Sequence, residues 1–227
     1  MTSLLERTIS IIAPHRCFGC SKENYVLCAA CQIELFDEGL EMCFLCNIPT
    51  VDSRVCEPCG RQTVVEHVWM AATYEGTVKQ LIRAYKFDRV RAAYAPLARA
   101  ISDRLPYLPA DTVVVHIPTA SVRVRQRGYD QSKLLAQEVA RLKGLRHQTL
   151  LGRRHGERQV GSNRSERMRQ AALAFELRPG VALNGQRILL IDDVTTSGAT
   201  LMAAAELLKA AGAEHVDTAA VAKHTLE

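Results

Sequence analysis

The sequence predicts an α/β fold: a doubly wound, mostly parallel sheet with a small cysteine-rich module at its amino-terminal end. Three observations lead there. Short aliphatic runs alternate with helical stretches between residues 67 and 221, the order that gives strands joined by crossover helices. Aromatic residues make up 5% of the chain against 48% apolar residues in all, which suits strands covered by helices on both faces rather than an aromatic-rich sandwich. All eight cysteines lie between residues 17 and 59. A chain of 227 residues can bury one substantial core and still carry an appended module, so two units are expected, 1–64 and 65–227.

The module comes first. Its cysteines form four Cys-x-x-Cys pairs: Cys17/Cys20, Cys28/Cys31, Cys43/Cys46 and Cys56/Cys59. Two thiolates separated by two residues grip one ion from a tight turn, and two such pairs complete a tetrahedral site, so eight thiolates imply two structural zinc ions. The rival is a disulfide framework. Charged residues interrupt every apolar run before it reaches membrane-span length, and the start, Met-Thr-Ser-Leu-Leu-Glu-Arg, lacks a basic segment followed by an apolar one. A cytoplasmic location without membrane insertion is therefore expected, and a reducing compartment favours metal over disulfides. Thioredoxin-type chemistry would need only one pair. The short gap from Cys20 to Cys28 favours sequential sites, though spacing alone leaves an interleaved pairing open. Phe18, Leu27, Phe36, Phe44 and Leu45 are expected to pack around the ions.

Past the module, His67 to Tyr74 reads as a strand and Thr77 to Phe87 as a helix with Val78, Leu81, Ile82 and Tyr85 on one face. Pro96 suits the opening of a second helix containing Leu97, Ala100 and Ile101. Asp111 to Pro118 is a second buried strand, and Ser132 to Leu142 an amphipathic helix. Ile188 to Ile191 is a third strand, Leu201 to Ala211 a helix stopped by Gly212, and Val216 to Val221 a last strand.

The chemistry concentrates in Arg187 to Thr200, Arg-Ile-Leu-Leu-Ile-Asp-Asp-Val-Thr-Thr-Ser-Gly-Ala-Thr. A buried strand ends in two carboxylates and is followed by small, hydroxyl-rich residues at the amino end of a helix, where unpaired backbone N–H groups favour a phosphate. Thr195, Thr196, Ser197, Gly198, Ala199 and Thr200 can close around it. Asp192 and Asp193 can accept from vicinal sugar hydroxyls or hold a hydrated Mg²⁺. A ribose 5-phosphate satisfies both halves. The stretch resembles the phosphoribosyl pyrophosphate (PRPP) signature of type I phosphoribosyltransferases, with Thr195 where members usually carry an aliphatic residue. A phospho-receiver pocket is the alternative for the acidic pair alone, and a Walker loop is excluded because no Gly-Lys-Ser/Thr follows.

At the end of the second strand, Pro118 to Ser132 supplies Thr119, Ala120, Ser121, Arg123, Arg125 and Arg127, a loop of donors on the phosphate side of the sheet. Residues 153–169 are arginine-rich without an apolar period and read as a mobile lid. For any single arginine, a solvated surface is the simpler reading. The formal charge of +5 by itself does not establish nucleic-acid binding.

Taken together, the four Cys-x-x-Cys pairs, Tyr85-Lys86-Phe87, Arg127-Gly128-Tyr129-Asp130-Gln131, Gln159, Asn163, Arg164 to Arg167 and Asp192 to Thr200 resemble the ComF family of phosphoribosyltransferase-like proteins over nearly the whole chain. Asp130 stands where relatives more often have asparagine. The resemblance implies a type I phosphoribosyltransferase fold behind a zinc-binding segment and, in competent bacteria, a part in DNA uptake during natural transformation. Single-stranded DNA and competence proteins such as a DNA helicase would be its partners. In a transferase, Asp192 and Asp193 would hold the ribose of Mg²⁺-bound PRPP, while Arg127 with Arg123, Arg125 and Lys86 would neutralise the departing pyrophosphate. With every cysteine committed to metal, no thiol is left for a glutaminase. The competing readings are a PRPP sensor without turnover and a single-stranded DNA adaptor.

Overall fold

The computed structural model describes residues 15–154 and 174–224. Two short helices lie in the cysteine-rich segment, α1 (Ala29–Phe36) and α2 (Glu57–Gly60). They are followed by β1 (Val68–Thr73), α3 (Gly76–Phe87), α4 (Tyr94–Arg104), β2 (Val113–His116), α5 (Ser121–Arg127), α6 (Gln131–Lys143) and β3 (Arg146–Gln148). The chain continues with β4 (Leu151–Arg153), β5 (Phe175–Leu177), β6 (Arg187–Thr195), α7 (Ala199–Ala210) and β7 (His215–Lys223). Five strands form one parallel sheet in the order β1-β7-β6-β2-β3, and β4 pairs antiparallel with β5.

The period of two along each strand divides the core. Trp69, Ala71, Val114, Leu189, Ile191, Ala219 and Val221 face a cluster completed by Leu81, Ile82 and Tyr85 of α3, Leu97 and Ile101 of α4, and Leu135 and Val139 of α6. Val68, Met70, Val113, Val115, Ile188, Leu190 and Val216 face the other cluster. Among the described residues, α7 covers this face with Leu201, Met202, Ala205 and Leu208, joined by Leu151 of β4 and Phe175 of β5, and Cys43, Phe44 and Val55 of the cysteine-rich segment complete it. Val26 and Phe36 of that segment join the first cluster, and Gln32 Nε2 donates to Pro96 O at 3.1 Å. The segment thus straddles β1. Bridges Leu40↔Met70 and Arg54↔His67 cover that edge strand, which would otherwise offer open backbone groups.

Two expectations need correction. The strand expected at Ile188–Ile191 runs on through Thr195, because Asp192, Val194 and Thr195 pair in register with Ala220, Ala222 and Lys223 of β7. The acids therefore lie inside the strand rather than at its end, and Thr195, expected in the phosphate loop, is its last residue. Ser121–Arg127, expected as loop, is the helix α5, closed by Gly128 at φ 86°. None of its residues is buried, so no apolar period announced it. Most of the lid expected at 153–169 lies outside the described residues.

Candidate functional site

The carboxyl ends of β1, β7, β6 and β2 open on one edge of the sheet, where ligands of doubly wound folds sit. Asp192 and Asp193 are both buried there. Asp192 Oδ1 accepts from the Asp193 N–H at 2.8 Å and from Ser132 Oγ of α6 at 3.3 Å. Burial, reinforced by the neighbouring Asp193, pushes the Asp192 carboxyl up to about 7 in spite of Lys86 and those two donors. Asp193 Oδ1 receives the Lys86 ammonium at 2.7 Å.

Lys86 is aimed by two tyrosines. Tyr85, fully buried on the core face of α3, donates its hydroxyl to Gln131 O at 2.8 Å, and the Tyr129 hydroxyl donates back to the Tyr85 carbonyl. Tyr85-Lys86-Phe87 and Arg127-Gly128-Tyr129-Asp130-Gln131 are thereby one interlocked unit. Arg127 lies over the Phe87 ring at 5.1 Å, and burial together with Arg123 loosens the proton on its guanidinium. Helical geometry places Arg123 and Arg127 four apart on one side of α5 and turns Arg125 away from them. Arg123 and Arg125 are exposed.

Asp130 caps α6, its side chain accepting from Lys133 N at 3.1 Å, and takes the Thr119 hydroxyl at 3.0 Å. Its role in the fold is to tie Thr119 to the helix start, with Ala120 and Ser121 leading into α5. At the end of β2, His116 Nδ1 is 3.0 Å from His147 Nε2, and burial draws His116 down to about 4, so it is neutral near pH 7. In the sequence His116 reads only as part of a strand. The imidazole pair belongs to two strands and has no local signature.

Between β6 and α7 only Thr196, Ser197 and Gly198 remain as loop; Ala199 and Thr200 form the first turn of the helix. Gly198 has φ 76°, and a Cβ there would collide with the Phe44 ring and lie 3.3 Å from Leu45 Cδ2. Among the described residues, neither the Ser197 nor the Gly198 N–H has an acceptor. The Thr196 carbonyl is taken by Lys223 Nζ at 2.6 Å, a residue that sequence reading missed because a lysine closing a strand reads as solvated.

The cysteines gather as two groups, Cys17/Cys20/Cys28/Cys31 and Cys43/Cys46/Cys56/Cys59, with the sulfurs of each group within 4.8 Å of one another. Pairing is sequential. Cys20 Sγ–Cys28 Sγ is 3.7 Å and Cys46 Sγ–Cys56 Sγ 3.5 Å. These approach the ~3.8 Å edge of a tetrahedron with zinc–sulfur bonds of ~2.3 Å, so both groups fit zinc. Burial opposes ionisation of Cys17 and Cys43, yet backbone N–H groups, from Cys20, Cys28 and Gly19 for the one and Cys56, Leu45 and Cys46 for the other, bring each down to about 6.

Residues 95–225 match the family model described as the phosphoribosyl transferase domain. Competence protein ComFC of Streptococcus pneumoniae is 31% identical over 199 residues, covering 86% of this chain and 87% of that protein. DNA utilization protein YhgH of Salmonella typhi is 26% identical over 220 residues, 91% of this chain and 96% of that protein. Competence protein F of Haemophilus influenzae is 26% identical over 227 residues, 92% of this chain and 96% of that protein.

Proposed function

The chain belongs to the ComF family of phosphoribosyltransferase-like proteins, and on that footing we propose that it binds PRPP or another 5-phosphoribosyl ligand with Mg²⁺ at the end of β6 and serves the handling of incoming DNA in the cytoplasm. The observation that supports the site is the pairing of a buried acid couple with two loop N–H groups that lack acceptors among the described residues. Asp192 and Asp193 hold the ribose hydroxyls, and their negative charge favours the positive charge developing at the anomeric carbon, while Mg²⁺, when bound, would neutralise charge on the departing pyrophosphate. Thr195 to Thr200 enclose the 5-phosphate. Arg127, with Arg123 on the same side of α5, and Lys86 meet the pyrophosphate, Lys86 by exchanging Asp193 for it. Thr119, Ala120 and Ser121 line the approach; Arg125 is left to the outer surface. The competence and DNA-utilization names of the relatives support the biological setting.

Calorimetric titration with PRPP and Mg²⁺ tests the reading. Binding by the wild type that is lost in Asp192→Ala/Asp193→Ala supports it, and equal binding by both overturns it. Pyrophosphate release with a nucleobase, amine or nucleic-acid acceptor separates a transferase from a sensor.

A second reading draws on Phe87, which is 60% exposed and flanked by Arg83 at 5.7 Å and Arg127 at 5.1 Å. An exposed ring among guanidinium groups is a stacking platform for a base of single-stranded DNA. Fluorescence anisotropy with labelled oligo(dT) tests it: affinity should fall steeply with salt and drop in Phe87→Ala.

A further inference from the structure

We propose that Lys223 is a positioning residue that couples the second four-cysteine site to the phosphate loop, an inference that rests on the phosphoribosyl reading above. Lys223 is the last residue of β7 and is 2% exposed. Its ammonium donates to two backbone carbonyls far apart in the chain, Thr196 O at 2.6 Å and Phe44 O.

The first bond sets the direction of a peptide plane. In a trans peptide the carbonyl and the following N–H point to opposite sides, so a cation fixed on Thr196 O turns the Ser197 N–H the other way. That N–H and the Gly198 N–H, both without acceptors among the described residues, are the donors offered to a phosphate. Were the Thr196 peptide to flip, its carbonyl oxygen would replace the Ser197 donor and repel the same phosphate.

The second bond reaches the metal segment. Phe44 and Leu45 are the two residues between Cys43 and Cys46, whose sulfurs converge with those of Cys56 and Cys59. Phe44 is fully buried, and its ring rests on Gly198 while its carbonyl receives Lys223. An ion on this group holds the turn that presents the carbonyl and the ring together. Without it the turn can relax, which frees Lys223 from Phe44 and the loop from its support. Among the described residues the first group has no such link: Cys17, Cys28 and Cys31 form a cluster of their own, with Leu27 packed against it. One zinc site is thus coupled to the ligand loop and the other is not.

Coupling is reciprocal, so it can be read from either side. In the two-zinc protein, release of zinc to excess chromophoric chelator is followed with and without PRPP and Mg²⁺, and PRPP affinity is measured by calorimetry. Bound PRPP should slow loss of one ion about tenfold and leave the other unchanged. A Cys20→Ser variant, damaged only in the first site, should retain the protected phase. Lys223→Met should bind PRPP about tenfold more weakly and lose the protection, and Lys223→Arg should recover part of both. If the wild type binds PRPP while both ions leave at unaltered rates, or if folded Lys223→Met binds as tightly and keeps the protection, the coupling is wrong and the phosphoribosyl site stands. If the wild type binds no PRPP, the phosphoribosyl reading falls and the coupling with it. Should Lys223→Met fail to fold, the wild-type protection measurement decides alone.

Discussion

Lys86 Nζ lies 2.7 Å from Asp193 Oδ1, so a cation delivered by α3 neutralises half of the acid pair carried near the carboxyl end of β6. Both side chains are largely shielded, at 19% and 12% exposure, and the pair is held in place from behind by the Tyr85–Tyr129 interlock. Removing the cation leaves Asp193 buried beside Asp192 with its charge uncompensated. Lys86→Met should therefore cost about 2 kcal/mol of stability, less than a fully buried pair because some solvent reaches it. It should also weaken PRPP binding, since the ammonium is lost to the pyrophosphate. Thermal denaturation and calorimetry read the two effects separately; a variant as stable as the wild type would mean that Asp193 is hydrated and unpaired in solution.

Asp192 should make both stability and binding depend on pH near neutrality. Its folded value, about 7, lies above the ordinary carboxyl range because burial and Asp193 oppose the charge more than Lys86 and Ser132 favour it. Between the unfolded value and the folded one, the native chain keeps a proton that the unfolded chain has released, so stability is greatest below that window and is lost as pH rises through about 7. Asp192→Asn, which keeps an acceptor for the Asp193 N–H and Ser132, should raise the melting temperature near pH 8 and change it little near pH 4. A Mg²⁺-bound ligand takes the ionised acid, so PRPP affinity should rise with pH across the same window and binding should release protons. Calorimetry in buffers of differing ionisation enthalpy measures that release.

The site's legibility in the sequence followed the range of the interactions that make it. Asp192, Asp193 and the small residues after them are contiguous and could be read directly, as could the cysteine pairs and the longer apolar helices and strands after residue 66; α1, inside the cysteine-rich segment, could not. The three-residue strands β3, β4 and β5 could not. Arg146-His147-Gln148 carries no apolar signal, and its extended form comes from pairing with Val113 to Val115 of β2. Two acids usually end a strand, so the sequence signals a shorter β6 than the one that the β7 ladder carries through Thr195. Lys223 was invisible for the same reason: what buries it are carbonyls of Phe44 and Thr196, brought together only by the fold.

Zinc removal should unfold the amino-terminal segment and weaken the sheet beneath it. The segment supplies Val26 and Phe36 to one core and Cys43, Phe44 and Val55 to the other, so its loss uncovers the β1 edge as well as apolar surface. A strong chelator should lower the melting temperature by several degrees and increase binding of an apolar dye, with recovery on adding back two equivalents of zinc. Metal analysis finding two ions per chain before treatment is the required starting point. An unchanged melting curve after complete removal would show that packing alone holds the segment.

Gly198 and Phe44 should behave as a coupled pair. Alanine at position 198 meets two penalties: a backbone at φ 76°, which disfavours any Cβ by about 1 kcal/mol, and a collision with the Phe44 ring, for which overpacking costs a further 1–3 kcal/mol or so. Phe44→Ala alone should cost roughly 3 kcal/mol by leaving a cavity under the loop. In the double variant the small side chain at 44 removes the collision and the new methyl fills part of the cavity. The double variant should then cost less than the sum of the two single costs, by about 1–2 kcal/mol, while the backbone strain at 198 persists. Denaturant titration of the four proteins in the cycle measures this. Strict additivity would mean that the ring moves aside freely, and Phe44 could then no longer be the support on which the loop between β6 and α7 rests.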